Sequence, residues 1–333
     1  MTRSGAPDPR RMRAAVALAA RGRGLTAPNP SVGCVIVRDG VVVGAGWTQP
    51  GGRPHAEAVA LEQAGDRAEG ADVYVTLEPC AHDSDRGPAC ADLLAAARPK
   101  RVVLAMQDPD ARTSGRGIAR LRQAGIEVIS GLCGDLAARE MNGYLVRQQK
   151  GRPRITLKIA VSIDGRVALP SGESQWITGA EARAHVHLVR AEADLIVVGR
   201  GTLEADDPSL DVRLPGLGGR SPAIAVMSAT LAEIPQATKI AARDPVLLRN
   251  FADFDGLPYN DVLIEGGAGM AGSLLAEDRI DRLLVYRAPI LLGDQAPGIG
   301  QLGLKNLGEA HDRWQLYATR PLGKDRLEIY ARL

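Results

Sequence analysis

The chain has 333 residues, 45% of them hydrophobic and 24% charged, with a net charge of +2 at neutral pH. That length exceeds what one hydrophobic core usually serves, so two domains are expected; the near-neutral charge and only 3% aromatic residues exclude nucleic acid as the expected partner. Four cysteines do not make a disulfide scaffold, and no apolar run approaches the ~20 residues of a membrane span, so no membrane partner is expected.

Arg10, Arg11 and Arg13 precede a run of alanine, valine and leucine, which resembles a short targeting peptide. Arg21 and Arg23 follow without a cleavage context, so residues 9–22 are read as a first amphipathic helix with a basic face. Pro28-Asn29-Pro30-Ser31 ends it. Residues 32–37 predict a strand, and Asp39-Gly40 turns it into a hairpin with residues 41–43. Residues 44–54 read as loop. Helix 55–63, strand 72–77, helix 88–97, strand 101–106, helix 117–124 and strand 126–129 follow, which is the order of a three-layer α/β domain. A helix over 134–149 closes the first half. Lys150-Gly151-Arg152-Pro153 interrupts the pattern and sets the domain boundary, giving domains 1–150 and 151–333.

The second half alternates again. Strands are predicted at 154–159, 194–198, 223–226, 262–265 and 282–286, a short one at 245–248, and helices at 181–191 and 270–276. Residues 202–208 read as an acidic loop, and no element is predicted beyond residue 286.

Chemistry concentrates between His55 and Cys90. His55-Ala56-Glu57 is followed by Glu78-Pro79-Cys80 and then Cys90. This is the His-x-Glu and Pro-Cys-x-x-Cys signature of zinc nucleobase deaminases, stretched so that nine residues instead of two separate the cysteines. One imidazole and two thiolates hold zinc and leave a fourth position for water. Glu57 is the candidate proton carrier, outside the metal's ligand set. A longer loop adds only ~0.6 kcal/mol per doubling. His82 is read as a substrate contact, with a fourth metal ligand or a surface residue as alternatives; a fourth ligand would make the site structural. Cys34 and Cys133 are read as structural. In the second half, Gly267, Gly269 and Gly272 form G-x-G-x-x-G between a strand and a helix, where backbone amides favour phosphate. No acidic residue follows at the distance of the dinucleotide fingerprint, so a true Rossmann unit is not expected.

These segments carry a family resemblance. Residues 28–37, Pro54-His55-Ala56-Glu57, residues 74–80, Met106-Gln107-Asp108-Pro109, Leu157-Lys158, Ser162-Ile163-Asp164-Gly165, residues 172–178 and Asp206-Asp207-Pro208 together resemble the bifunctional riboflavin-biosynthesis deaminase/reductase over nearly the full length. The resemblance implies a cytidine-deaminase-like three-layer α/β domain followed by a dihydrofolate-reductase-like α/β domain. It implies deamination of a diamino-ribosylaminopyrimidinone 5′-phosphate at zinc, then NADPH-dependent reduction of the ribose to ribityl. It makes His55, Cys80 and Cys90 the zinc ligands and Glu57 the proton donor. It assigns Lys158, Ser174, Arg190, Leu210, Arg213 and Glu265 to the reductase substrate. It assigns Ala160, Trp176, Thr202, Asp206, Ser228, Gly267, Ala268, Gly269, Met270, Ala271, Gly272 and Ser273 to NADPH. It further implies a cytoplasmic homo-oligomer acting on small phosphoribosylaminopyrimidines. The chain departs from the family's usual pattern in one extra residue before Cys90, a shorter 221–259 segment, no acidic residue before Ser228, and Ala268 in the glycine turn. A nucleoside or tRNA deaminase fused to an unrelated phosphate-binding domain is the alternative reading.

Overall fold

The computed structural model describes residues 5–82 and 85–333. The chain divides into two compact units after Lys150. In the first, α1 (Pro9–Ala19), β1 (Gly33–Arg38), β2 (Val41–Trp47), α2 (Ala56–Ala64), β3 (Asp72–Val75), α3 (Cys90–Ala97), β4 (Arg101–Leu104), α4 (Arg116–Gln123), β5 (Glu127–Ser130), α5 (Gly134–Glu140) and α6 (Asn142–Lys150) follow in order. The sheet runs β2-β1-β3-β4-β5. β1 is antiparallel to β2 and β3, while β3, β4 and β5 are parallel. Its core includes Met12, Val35, Val73, Val102, Leu104 and Leu121.

The way α2 meets the sheet decides where the site lies. Residues 44–54 read as loop from their glycines, yet β2 runs on to Trp47. Those glycines are strand residues over which a helix passes closely. A Cβ on Gly44 would lie 2.2 Å from the Ala60 carbonyl oxygen, and one on Gly46 would lie 2.3 Å from that of Ala56. Glycine inside a strand marks such close backbone approach. Ala56, Ala60 and Ala64 of α2 are buried along its length, so small residues on both partners set the spacing.

The second unit contains β6 (Arg154–Val161), α7 (Ala180–Ala191), β7 (Leu195–Gly199), α8 (Arg200–Asp206), β8 (Ala223–Met227), β9 (Val246–Leu248), β10 (Asp261–Ile264), α9 (Ala268–Ala276), β11 (Arg282–Arg287), β12 (Trp314–Leu322) and β13 (Asp325–Arg332). Strand order is β12-β13-β11-β6-β10-β7-β8-β9. The six strands from β11 to β9 are parallel, and β13 and β12 add an antiparallel edge. β7 is buried over Leu195, Ile196, Val197 and Val198, as strands covered on both faces require.

Three expectations are corrected. Residues 200–206 are helix, not loop: Arg200 pairs with Glu204 one turn on, and Asp207 ends the helix at φ 38°. The single helix over 134–149 is two, broken at Met141, whose ψ of 16° leaves the helical region. The β12–β13 hairpin lies where no element was predicted, and most of β12 is exposed, so its apolar signal is weak. No helix among the described residues is long and apolar enough to cross a membrane.

Two predictions follow from this packing. Gly46→Ala forces a methyl onto the α2 backbone and should destabilise the first unit by about 1–3 kcal/mol, read by urea unfolding. An unchanged midpoint would show that α2 yields freely. In the second unit Asp194 Oδ2 accepts the Asn260 and Asp261 amides at 2.9 and 2.8 Å. Burial and then the Asp261 charge raise its pKa to about 7. The unfolded carboxyl titrates near ~3.9. Between those values the folded state holds the extra proton, so stability falls as pH rises. Asp194→Asn keeps an acceptor and removes the titration. Its stability relative to the parent should therefore grow by on the order of a few kcal/mol from pH 4 to pH 8; thermal unfolding curves with a constant offset would refute this.

Candidate functional site

In the first unit two helices begin at the same place. His55 is the N-cap of α2, and Cys90 is the first residue of α3. Cys80 is fixed against the start of α3 twice: its carbonyl accepts the Ala91 amide at 3.1 Å, and its sulfur accepts the Cys90 amide at 3.3 Å. His55 Nδ1 lies 3.6 Å from the Cys80 sulfur and 3.4 Å from the Cys90 sulfur. The three donor atoms all fall within 4.8 Å of one another. Imidazole with two thiols, converging at positive helix ends, is the donor chemistry of a zinc site.

Between the two thiols the proton rests on Cys90: its thiol donates to Cys80 and, against burial, holds the Cys80 thiol well below its usual value, and His55 lowers it further. Cys90 is pushed up by being that donor, by burial and by the nearby Glu57 charge. Glu57, the second residue of α2, is 3% exposed, and burial raises its pKa despite the His55 charge. His82 is not part of the cluster among the described residues; its Nδ1 lies 3.3 Å from Thr113 Oγ1. Cys34 is buried in the core, and burial pushes its thiol up. Residues 83–84 of the loop between the cysteines lie outside the described residues.

A cleft of about 330 Å³ opens over this cluster, lined among others by Asn29, Arg53, His82, Arg86, Asp108 and Tyr144. Asp108 is buried and accepts the Tyr144 hydroxyl at 2.8 Å and the Asp110 amide at 3.0 Å. Burial raises its pKa. Sequence reasoning gave no role to Asp108, although Met106-Gln107-Asp108-Pro109 was a matching segment. Tyr144 had no signal, since α6 reaches the cleft only through the fold. Glu78 has a structural task. Its carboxylate accepts the amides of Asp108, Gly115 and Ile118, which binds the end of β3 to the start of α4.

In the second unit the assigned residues gather at the carboxyl ends of parallel strands, where open α/β sheets bind ligands. Lys158 and Ala160 lie on β6, Glu265 follows β10, Thr202 lies on α8 just after β7, and Ser228 follows β8. Arg190 of α7 grips Glu265 with two bonds of 2.7 and 3.0 Å and donates to the Asp211 carbonyl at 3.0 Å. Burial alone would raise the Glu265 pKa, but Arg190, then Lys158 and His187, hold it below the usual value. The Lys158 ammonium lies 6.0 Å from the Tyr286 ring centre. Leu210 is buried at φ 53°, and Arg213 is exposed, 3.6 Å from Asp211.

The cofactor set is looser. α9 has Gly267 as its N-cap with no side-chain cap, so the first-turn amides of Ala268, Gly269 and Met270 lack intrahelical acceptors. That end fits a pyrophosphate. Ala271 and Gly272 are buried instead, and Ser273 donates back to the Gly269 carbonyl at 3.1 Å. Ser228 Oγ accepts the Thr230 and Leu231 amides, closing a turn. Asp206 accepts the Gln175 amide at 2.8 Å. Ser174 and Trp176 sit on an exposed loop, with the Arg183 guanidinium 4.7 Å from the Trp176 ring centre.

Comparison with known proteins agrees over both units. Residues 7–106 match the cytidine and deoxycytidylate deaminase zinc-binding region, and residues 153–327 match the RibD C-terminal domain. The chain is 40% identical to the riboflavin biosynthesis protein RibD of Escherichia coli (strain K12), covering 94% of this chain and 96% of that one. Acinetobacter baumannii RibD has the same fold with a TM-score of 0.89, at 36% identity and 98% coverage of both chains. A diaminohydroxyphosphoribosylaminopyrimidine deaminase/5-amino-6-(5-phosphoribosylamino)uracil reductase from Thermotoga maritima follows with a TM-score of 0.86, at 26% identity and the same coverage. A nucleoside or tRNA deaminase with an unrelated second domain is not favoured by relatives that match end to end. With a cytidine-deaminase-like unit followed by a dihydrofolate-reductase-like one, and with both halves matched in a single relative, this chain belongs to the RibD family of bifunctional deaminase/reductases of riboflavin biosynthesis.

Proposed function

We propose that the two steps are divided between the units, with residues 1–150 as the deaminase and residues 151–333 as the reductase. The first would act on 2,5-diamino-6-(ribosylamino)pyrimidin-4-one 5′-phosphate, and the second on 5-amino-6-(5-phosphoribosylamino)uracil. The observation that carries the reading is the His55, Cys80 and Cys90 cluster beside the buried Glu57 at the floor of a cleft. Zinc held by these three residues supplies Lewis-acid activation of water near neutral pH. Glu57 takes the proton from the attacking water and delivers it to the departing amine, so the C–N bond breaks as ammonia leaves and a carbonyl replaces it. His82 faces the substrate from the cleft wall.

In the second unit NADPH supplies the hydride, and the Gly267 end of α9 receives its pyrophosphate, with Ala160, Trp176, Thr202, Asp206 and Ser228 around it. Glu265, kept ionised, fixes Arg190 as one half of the substrate site. Lys158, Ser174 and Leu210 complete it, and the exposed Arg213 guanidinium meets the substrate phosphate as a fork. The protein works as a homo-oligomer in the cytoplasm. None of the four cysteines is in a disulfide, which suits a reducing compartment, and exposed Leu316 and Tyr317 on edge strand β12 suit a partner copy.

The test is one incubation with the diamino-pyrimidine phosphate and NADPH, following ammonia and NADPH oxidation together. Glu57→Gln should cut ammonia release by about 10²–10⁴-fold with zinc content unchanged, and spare NADPH oxidation on the deaminated substrate. Cys90→Ser should lose zinc by elemental analysis as well as ammonia release. Undiminished ammonia release by Glu57→Gln would end the catalytic assignment, and loss of both activities from that change would contradict separate sites.

A further inference from the structure

His187 lies three residues before Arg190 on α7, so the two side chains share a face. Its Nδ1 is 3.1 Å from the Asp211 carbonyl oxygen and 3.3 Å from the Arg213 amide nitrogen. Both contacts cannot be hydrogen bonds at once, because one nitrogen either donates or accepts. The Asp211 carbonyl already accepts from Arg190 Nη1 at 3.0 Å. The Arg213 N–H is directed at Nδ1, and the lone pair of an imidazole protonated on Nε2 accepts it. The segment it holds is irregular: Leu210 is left-handed at φ 53°, and Ser221 Oγ takes the Val212 amide at 2.9 Å.

We propose that His187, as the neutral imidazole, is a positioning residue of the reductase substrate site: it accepts a hydrogen bond from the Arg213 amide and so sets that guanidinium toward the phosphate monoester. The inference rests on the reading of Arg213 given above. Protonation of Nδ1 replaces the acceptor with a donor aimed at Asp211 and releases Arg213. The charges facing the ring are Arg190 from its own helix, Arg213 and Asp211 from the loop, and Glu265 from the end of β10. Burial and then the two arginines hold the ring below the usual imidazole value, which favours the neutral ring; the Arg213 amide facing Nδ1 selects its Nε2-protonated tautomer.

The test is steady-state reductase kinetics of the full-length protein on 5-amino-6-(5-phosphoribosylamino)uracil from pH 5 to 8, for the parent, His187→Leu, His187→Gln and Arg213→Ala. His187→Leu should raise KM for the pyrimidine about tenfold at pH 7.5, the worth of one hydrogen bond, with KM for NADPH unmoved. His187→Gln retains an acceptor that does not titrate. It should restore that KM and remove the part of the acid rise in KM that the parent shows beyond the substrate phosphate's own titration. A parent-like KM in His187→Leu, or an acid limb in His187→Gln identical to the parent's, overturns the proposal. If Arg213→Ala raises KM while His187→Leu does not, only the role of His187 fails. If Arg213→Ala leaves KM unchanged, the reading of the phosphate site falls and this inference with it.

Discussion

The convergence of two helix N-termini on one point governs the first unit. α2 brings His55 and Glu57, α3 brings Cys90, and Cys80 is fastened to the start of α3 through its carbonyl and its sulfur. The positive end of a helix favours a thiolate, so the same geometry that gathers the donors also prepares their charge. The arrangement holds only because α2 lies so close to β2 that Gly44 and Gly46 leave no room for a methyl. A site of this kind tolerates displacements of about half an ångström. The glycines of a strand thus set the place of the Glu57 carboxylate on the helix that follows.

The second unit solves a different problem, holding charges of opposite sign together in a partly buried site. Taking an arginine and a glutamate out of water costs several kcal/mol per ion, which ideal geometry offsets only in part. Arg190 and Glu265 meet in a two-bond fork, and the third guanidinium bond goes to the Asp211 carbonyl. The pair contributes little to net stability by this reasoning. What it contributes is position: α7, the end of β10 and the 211–213 segment are tied at one guanidinium. His187 extends the tie by one more backbone group.

The first unit uses buried acids in two distinct ways. Glu78 receives three backbone amides and serves the scaffold, while Glu57 has its pKa raised by burial and faces the cleft. Asp108 stands between, held by Tyr144 and the Asp110 amide yet lining the cleft. Hydrogen-bond count separates the roles better than burial does, since all three side chains are hidden from solvent.

Much was legible in the sequence because it rests on local chemistry. The alternation of apolar runs, the Asp39-Gly40 turn, and the types and spacing of His55, Glu57, Cys80 and Cys90 are written along the chain, and they were sufficient for the two α/β units and the zinc chemistry. The glycine turn at α9 was legible too, but not that Ala271 and Gly272 would be buried, because that depends on what packs against the helix. β2 was cut short for a related reason: glycine reads as a breaker until the neighbouring helix is known. β12 was missed because most of this edge strand is exposed and its apolar signal is weak; β13 does carry Leu327, Ile329 and Ala331 in alternation with polar residues, a signal that was overlooked. Tyr144 beside Asp108, Arg190 against Glu265, and His187 beneath Arg213 join residues from separate elements. The sequence by itself determined which reactive groups exist and which elements carry them, since residue type and periodicity are local properties. Only the tertiary structure decided which of those groups meet, because a hydrogen bond between distant segments depends on packing at sub-ångström distances that no spacing along the chain encodes.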